Sequence, residues 1–166
     1  MTFAVVIPSY RRADLLEVCL RSVRTHQPID TEIIVVDDGS PGGIVSACAT
    51  KFDCTVVRHD RPQGFAVAAN AGVAATEADI VELLNDDTEV TADWATNAVA
   101  RFADPAVVAV APLVLMHPAT QPGPVRIDSA GDEWDRGGFA RKRGHDRPVS
   151  DEYRQPGPVW GVSAAA

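Results

Sequence analysis

Strand-like and helix-like segments alternate along the first two thirds of this chain, and that alternation restricts its possible folds more than any other feature. Residues 3–8 (FAVVIP), 32–36 (EIIVV), 54–58 (CTVVR) and 79–84 (DIVELL) are short, largely β-branched runs bounded by turn formers, the pattern of buried strands. Between them the period changes. Over residues 13–26 the side chains of Leu16, Leu20 and Val23, with Leu15 and Cys19 beside them, recur at helical spacing, and Pro28 follows where a helix stop is expected. Further helices are expected up to about residue 52, over the alanine-rich residues 65–75 behind Gly64, and from a cap at Thr91 or Asp93 to about residue 102. Residues 107–111 are expected as a fifth strand. Strands and helices alternating at this pitch build right-handed βαβ units, hence a mostly parallel sheet covered on both faces. After Pro112 the character changes. Pro118, Pro122, Pro124, Pro148, Pro156 and Pro158, spread through polar sequence, indicate an extended, hairpin-rich region packed on that sheet. One domain is expected overall, an α/β half over 1–111 and a second region over 112–166.

The charge balance excludes one large class of function. A net charge of −8 and a pI near 4.8 argue against a nucleic-acid partner, because phosphate binding draws its affinity from clustered Lys and Arg. The one dense basic run, Arg141-Lys142-Arg143, reads as a solvated loop beside Gly144 and Asp146. Cys19, Cys48 and Cys54 show no metal or CxxC spacing and read as small buried hydrophobes in a reducing compartment. Arg11 and Arg12 cut short the apolar N-terminus, so no signal peptide is expected. The longest apolar run, residues 107–116, has about half the ~20 residues of a bilayer span and contains Pro112. A cytoplasmic site of action is expected, with the inner face of the membrane reached through the acceptor or a partner.

In an open α/β sheet ligands bind beyond the carboxyl ends of the strands, where the strand order reverses. Three expected strands end in chemically informative residues: Pro8-Ser9-Tyr10, Asp37-Asp38-Gly39-Ser40 and Asn85-Asp86-Asp87. A single acidic pair before glycine commonly forms a turn. Two such pairs at two strand exits are harder to account for, since adjacent carboxylates repel unless a cation or donor compensates. A few hard oxygen ligands left open on one side suit Mg²⁺ or Mn²⁺ shared with substrate phosphates, where the ion neutralises a diphosphate leaving group. Neither GxxxxGK[ST] nor GxGxxG is present, which favours the metal as the main phosphate binder.

The segments VVIPSYRRADLLEVCLRSV, EIIVVDDGSPGG and RPQGFAVAANAGVAATEADIVELLNDDTEV, in this order and strand context, closely resemble the inverting glycosyltransferases of family 2. Farther on, DSAGDEWDRGGFARKRG and PVWGVSAAA resemble the rhamnosyltransferase-like branch. The resemblance implies a GT-A fold, a Rossmann-like three-layer sandwich with a mostly parallel sheet, here incomplete on its C-terminal side. It also implies transfer of a sugar, with inversion and a divalent metal, from a nucleotide-diphosphate sugar to a glycan or glycolipid hydroxyl, as in cell-wall or polysaccharide synthesis. Residue by residue it makes Pro8, Ser9 and Tyr10 a nucleotide-facing wall and Asp38 the acid that meets the base, with Asp37 either its neighbour there or the holder of the turn. Asn85-Asp86-Asp87 takes the place of the DxD-type motif, Asp87 as metal ligand and Asp86 facing the donor ribose or sugar. Gly64, Phe65 and Asn70 match the pattern over the nucleotide; where many relatives have an arginine in this helix, the chain has Ala68 and Ala69.

Several residues carry plainer readings. Pro8 could merely end an edge strand and Tyr10 could be packing. Trp94, Trp134 and Trp160 read as packing residues, Trp160 being the one nearest the expected acceptor side. His26, His59, His117 and His145 read as structural or solvent-facing. Inverting transfer needs a general base. The family's base lies well after the metal motif, and the chain resembles a relative cut short before it. Asp132, Glu133, Asp151 and Glu152 are therefore not nominated, and the base is expected beyond Ala166. The alternative is a nucleotide-sugar-binding module, or an inactive fragment, without turnover. A nucleotidyltransferase ranks lower, because IPSYRRADLL is not a triphosphate-binding signature.

Overall fold

The computed structural model describes residues 1–28, 30–118 and 123–162, and these divide into two compact units, Met1–Val99 and Ala100–Ala166. In the first, β1 (Phe3–Ser9), α1 (Ala13–His26), β2 (Glu32–Asp37), α2 (Ile44–Lys51), β3 (Thr55–Arg58), α3 (Phe65–Val73), β4 (Ile80–Leu83) and α4 (Trp94–Val99) follow in turn. All pairings in the sheet are parallel and its order is β3-β2-β1-β4. The chain steps outward from β1 to β3, then crosses back to lay β4 on the other side of β1. The reversal of direction, and with it the crevice of an open sheet, falls between β1 and β4.

Alternation along the strands sorts the core into two layers. Val5, Ile7, Ile33 and Val35 face α1 and α2, where Leu16, Cys19, Leu20, Val23, Val45 and Cys48 complete one cluster. Ala4, Val6, Ile34 and Val36 face α3 and its Ala68. The helix lies unusually close there: a Cβ on Gly72 would stand 2.3 Å from Val6 Cγ1 and 2.9 Å from Val36 Cγ2. The result is a three-layer α/β/α arrangement. Trp94 packs edge-on to Phe3 with ring centroids 5.9 Å apart, as its packing reading requires.

Pro8 lies inside a central strand, not at an edge. Val6 O accepts from Leu84 N at 3.0 Å, so the backbone groups of Val6 and Pro8 face the β4 side, and β4 ends at Leu83, opposite Val6. The missing N–H of Pro8 therefore falls where no ladder bond is lost.

The second unit contains β5 (Val114–Leu115) paired antiparallel with β6 (Ile127–Ser129), β7 (Asp132–Trp134) paired antiparallel with β8 (Ala140–Lys142), and a single turn, α5 (Asp151–Arg154). Its hairpins match the expected character of this region. The expected fifth parallel strand at 107–111 does not form. Val107 N turns back to Asp104 O, Val108 is 89% exposed, and no strand among the described residues pairs with this run before Pro112. The basic run is likewise no loop: Arg141 and Lys142 belong to β8 and are paired, Arg141 with Asp135 and Lys142 with Asp128 at 2.7 Å. Trp134 and Trp160 are exposed, against the packing reading; Trp134 stands on a two-stranded hairpin with no second layer of its own in which to bury it, and Trp160 follows α5 outside any strand. No helix among the described residues is long and apolar enough to cross a membrane.

Candidate functional site

Parallel pairing brings the carboxyl ends of β1, β2 and β4 to one edge of the sheet, with Ser9 in register with Asp37. The two acidic pairs expected there are both present, and their environments differ.

Asp37 is wholly buried and holds its own turn. Oδ1 accepts from Ser40 N at 2.8 Å, and Oδ2 accepts from Ser46 N at 3.1 Å, Ser46 Oγ at 2.5 Å and the Arg58 guanidinium. Burial pushes this carboxyl up, but the donations from Ser46 and Ser40 outweigh it and hold Asp37 below the usual carboxylate range. Of the two roles left open by the sequence, Asp37 fills that of the turn holder.

Asp38, 6% exposed, reaches the next loop instead. Its Oδ1 meets His59 Nδ1 at 2.7 Å, and its two oxygens accept from Gln63 N at 2.9 and 3.1 Å and from Gly64 N at 2.9 Å. Burial again acts upward and the donors from His59, Gln63 and Gly64 prevail, leaving Asp38 below its ordinary range. Gly39 completes the dock: at φ +74 it lies so close to the 61–62 backbone that a Cβ would be 2.5 Å from Arg61 C. The expected base-facing acid is thus also the clamp that fixes the entrance to α3. His59 and the Gln63 amide were invisible as partners in the sequence, because they depend on how the loop after β3 folds back over β2.

Across the switch point, Ser9 Oγ donates to Asp86 Oδ2 at 2.6 Å. Asp86 is part-buried; burial pushes it above the usual carboxylate range, the bond from Ser9 opposes this, Asp87 adds to the rise and Arg12 counters it. Asp87 is exposed, with no hydrogen bond or ion pair to a described residue. Asn85 anchors the turn through its carbonyl, which accepts from Thr88 N at 3.3 Å and from Cys19 Sγ at 3.6 Å. Tyr10 follows Ser9, with the Arg11 guanidinium 4.8 Å above its ring. Arg11 itself has φ +65, a strained value for a side-chain-bearing residue, and its N–H donates to the buried Ser40 Oγ at 3.0 Å.

Gly64 at φ +90 opens α3 beside Asp38, in open space, and Phe65 is 45% exposed. Asn70 is exposed too, but α3 carries it roughly 8 Å down the helix from Phe65. No contact among the described residues ties it to the acidic edge.

Among the described residues no three His, Cys, Asp or Glu gather into a metal cage. The donor set nevertheless suits a divalent ion.

The family model for glycosyl transferase family 2 matches residues 4–151. An uncharacterized glycosyltransferase of Haemophilus influenzae is 31% identical over 84 residues, 51% of this chain and 29% of that protein. The mannosyltransferase PcManGT of Pyrobaculum calidifontis, solved with GDP-Man and Mn²⁺, superposes with a TM-score of 0.63 at 28% identity, covering 70% of this chain and 36% of that one. TarS of S. aureus, solved with UDP-GlcNAc, shares the fold at a TM-score of 0.53 and 22% identity over 63% of this chain and 32% of that one. The chain therefore spans about a third of the length of the relatives it matches.

Proposed function

Because the chain belongs to glycosyl transferase family 2 and has the GT-A fold, we propose that its acidic edge binds a nucleoside-diphosphate sugar with Mn²⁺ or Mg²⁺, for inverting transfer to a glycan or glycolipid hydroxyl. The observation that carries this reading is the meeting of Ser9, Asp86 and the unengaged Asp87 at the switch point between β1 and β4. In it Asp87 is the metal ligand, and Asp86 faces the donor ribose or sugar. A metal bound there would supply positive charge against the leaving diphosphate. The chain's own residues orient the donor. Pro8 and Tyr10 wall the nucleotide, and Asp38 holds the 63–64 backbone on which the base rests. Gly64, without a side chain, leaves room beside it, with Phe65 and Asn70 along α3. That PcManGT was solved with GDP-Man and Mn²⁺ supports a donor and metal of this class.

Calorimetry with GDP-mannose, UDP-GlcNAc and a dTDP-sugar, each with and without Mn²⁺, tests the reading. One donor should bind in a metal-dependent way, and Asp87→Ala should remove that dependence while the unfolding midpoint stays put. Equal Mn²⁺-dependent affinity in Asp87→Ala would sink the assignment.

A second reading, donor binding without turnover, has an observation in its favour. Asp37 and Asp38 are held by the fold, and the reading above assigns Asp86 and Asp87 to donor and metal, so it nominates no general base at this edge. Product formation from the bound donor and an acceptor glycan separates the two readings.

A further inference from the structure

We propose that Ser9 is a positioning residue: its hydroxyl holds one oxygen of Asp86, so that the other is presented to the donor's diphosphate-sugar end. The inference rests on the reading of Asp86 and Asp87 as the donor and metal acids, and it gives Ser9 a task other than walling the nucleotide.

Ser9 is the last residue of β1 and is only 4% exposed. It is fixed by its register with Asp37 and by Asp38 N, which donates to Ser9 O at 3.0 Å. A hydroxyl buried to this extent requires a partner. It finds one 77 residues away, in Asp86 Oδ2 at 2.6 Å, across the crevice where the strand order reverses.

Asp86 needs such support because it stands outside the ladder. Beyond β4 the turn is tied by Leu84 N to Val6 O and by Cys19 Sγ to Asn85 O, both of which hold backbone and leave the carboxylate free to rotate. The torsion that turns a carboxylate plane is soft. Ser9 is the group among the described residues that hydrogen-bonds the Asp86 side chain, and a charge-assisted bond from a rigid strand end fixes that plane. With Oδ2 engaged, Oδ1 remains as the acceptor or ligand. The second acidic pair is thereby divided: Asp87 is exposed and unengaged by the described residues, Asp86 is set in place before the donor arrives.

The test uses the 166-residue chain, Mn²⁺, the best-bound of GDP-mannose, UDP-GlcNAc and a dTDP-sugar, and the corresponding nucleoside monophosphate. Ser9→Ala should weaken Mn²⁺-dependent donor binding about tenfold, the loss expected for one hydrogen bond to a charged group. Monophosphate affinity should stay unchanged, and Ser9→Thr should restore most of the donor affinity. In an Asp86→Ala background Ser9→Ala should cost nothing further, since the group it positions is gone. Should Ser9→Ala not fold, Ser9→Cys, a weak donor of similar size, should show the same selective loss. Undiminished donor binding in the folded Ser9 variant overturns the proposal. So does an equal loss for donor and monophosphate, or independent effects of Ser9→Ala and Asp86→Ala. If the wild-type chain binds no donor under any condition, the functional reading falls, and the role of Ser9 falls with it.

Discussion

At the scale of single residues, two acids of the first unit, Asp37 and Glu82, do different work because their burial and donors differ. Asp37 is a buried charge whose partners are all supplied by the chain, so removing the charge strands the Ser40 and Ser46 donors and Arg58. Asp37→Ala should destabilise the fold by about 3 kcal/mol in urea titrations. Its pH sign follows from its depressed carboxyl: the stability it contributes is present above the ordinary carboxylate range and is lost as pH falls through its folded value. Glu82 behaves in the opposite sense. It pairs with Val5 in register on β4, on the face that α1 covers, and burial alone pushes its carboxyl up from 4.5 to about 7. The neutral form suits the folded state, so the stability Glu82 contributes is greatest below pH 4.5 and declines as pH rises to about 7, by roughly 3 kcal/mol at most. Glu82→Gln should flatten that decline when unfolding free energies at pH 5 and pH 8 are compared. A decline of the same size in the variant would show that another group causes it.

At the scale of elements, the strands and helices of the first unit were legible because their periods are clean. The expected helix over 13–26 is α1, and four β-branched runs became four parallel strands within a residue or two of their expected ends. The strand-end clusters were legible for the same reason, since parallel order sends Ser9, Asp38 and Asp86 to one edge whatever their side chains do. What a period cannot encode is the partner. The fifth strand failed because hydrophobicity at 107–111 says nothing about whether a neighbouring edge is there to pair with it. The Asp38 clamp and the Ser9–Asp86 bond depend on loop paths, which no spacing in the sequence reports. Two glycines show where such paths become close contacts. Gly72→Ala puts a methyl into Val6 and Val36 and should cost on the order of 1–3 kcal/mol, partly recovered by Val6→Ala. Gly39→Ala meets backbone and also a positive φ, so no side-chain trimming should recover it; thermal unfolding of the single and paired variants distinguishes the two cases.

At the scale of the molecule, every site residue and both core clusters lie within Met1–Val99. That unit also carries the whole charge excess: residues 1–99 hold fifteen Asp and Glu against seven Lys and Arg, a net −8, while the acids and bases of residues 100–166 balance. An excess of this size opposes compaction and draws cations, most strongly where two carboxylates stand together and one is unengaged. Two outcomes follow for a chain ending at Val99. It should unfold cooperatively, because the ends of β4 are tied to the β1 side through Val6, Thr2 and Asp79, and the α1 layer includes Leu84, Val90 and Trp94, all within residues 1–99. Its melting temperature should also rise with Mn²⁺, as binding to the folded state alone requires, and the rise should vanish in Asp87→Ala. A rise that persists in Asp87→Ala would mean that the ion responds to the general negative field and not to the acidic edge. A fragment without a cooperative transition would mean that the clusters within residues 1–99 are not sufficient for a stable fold.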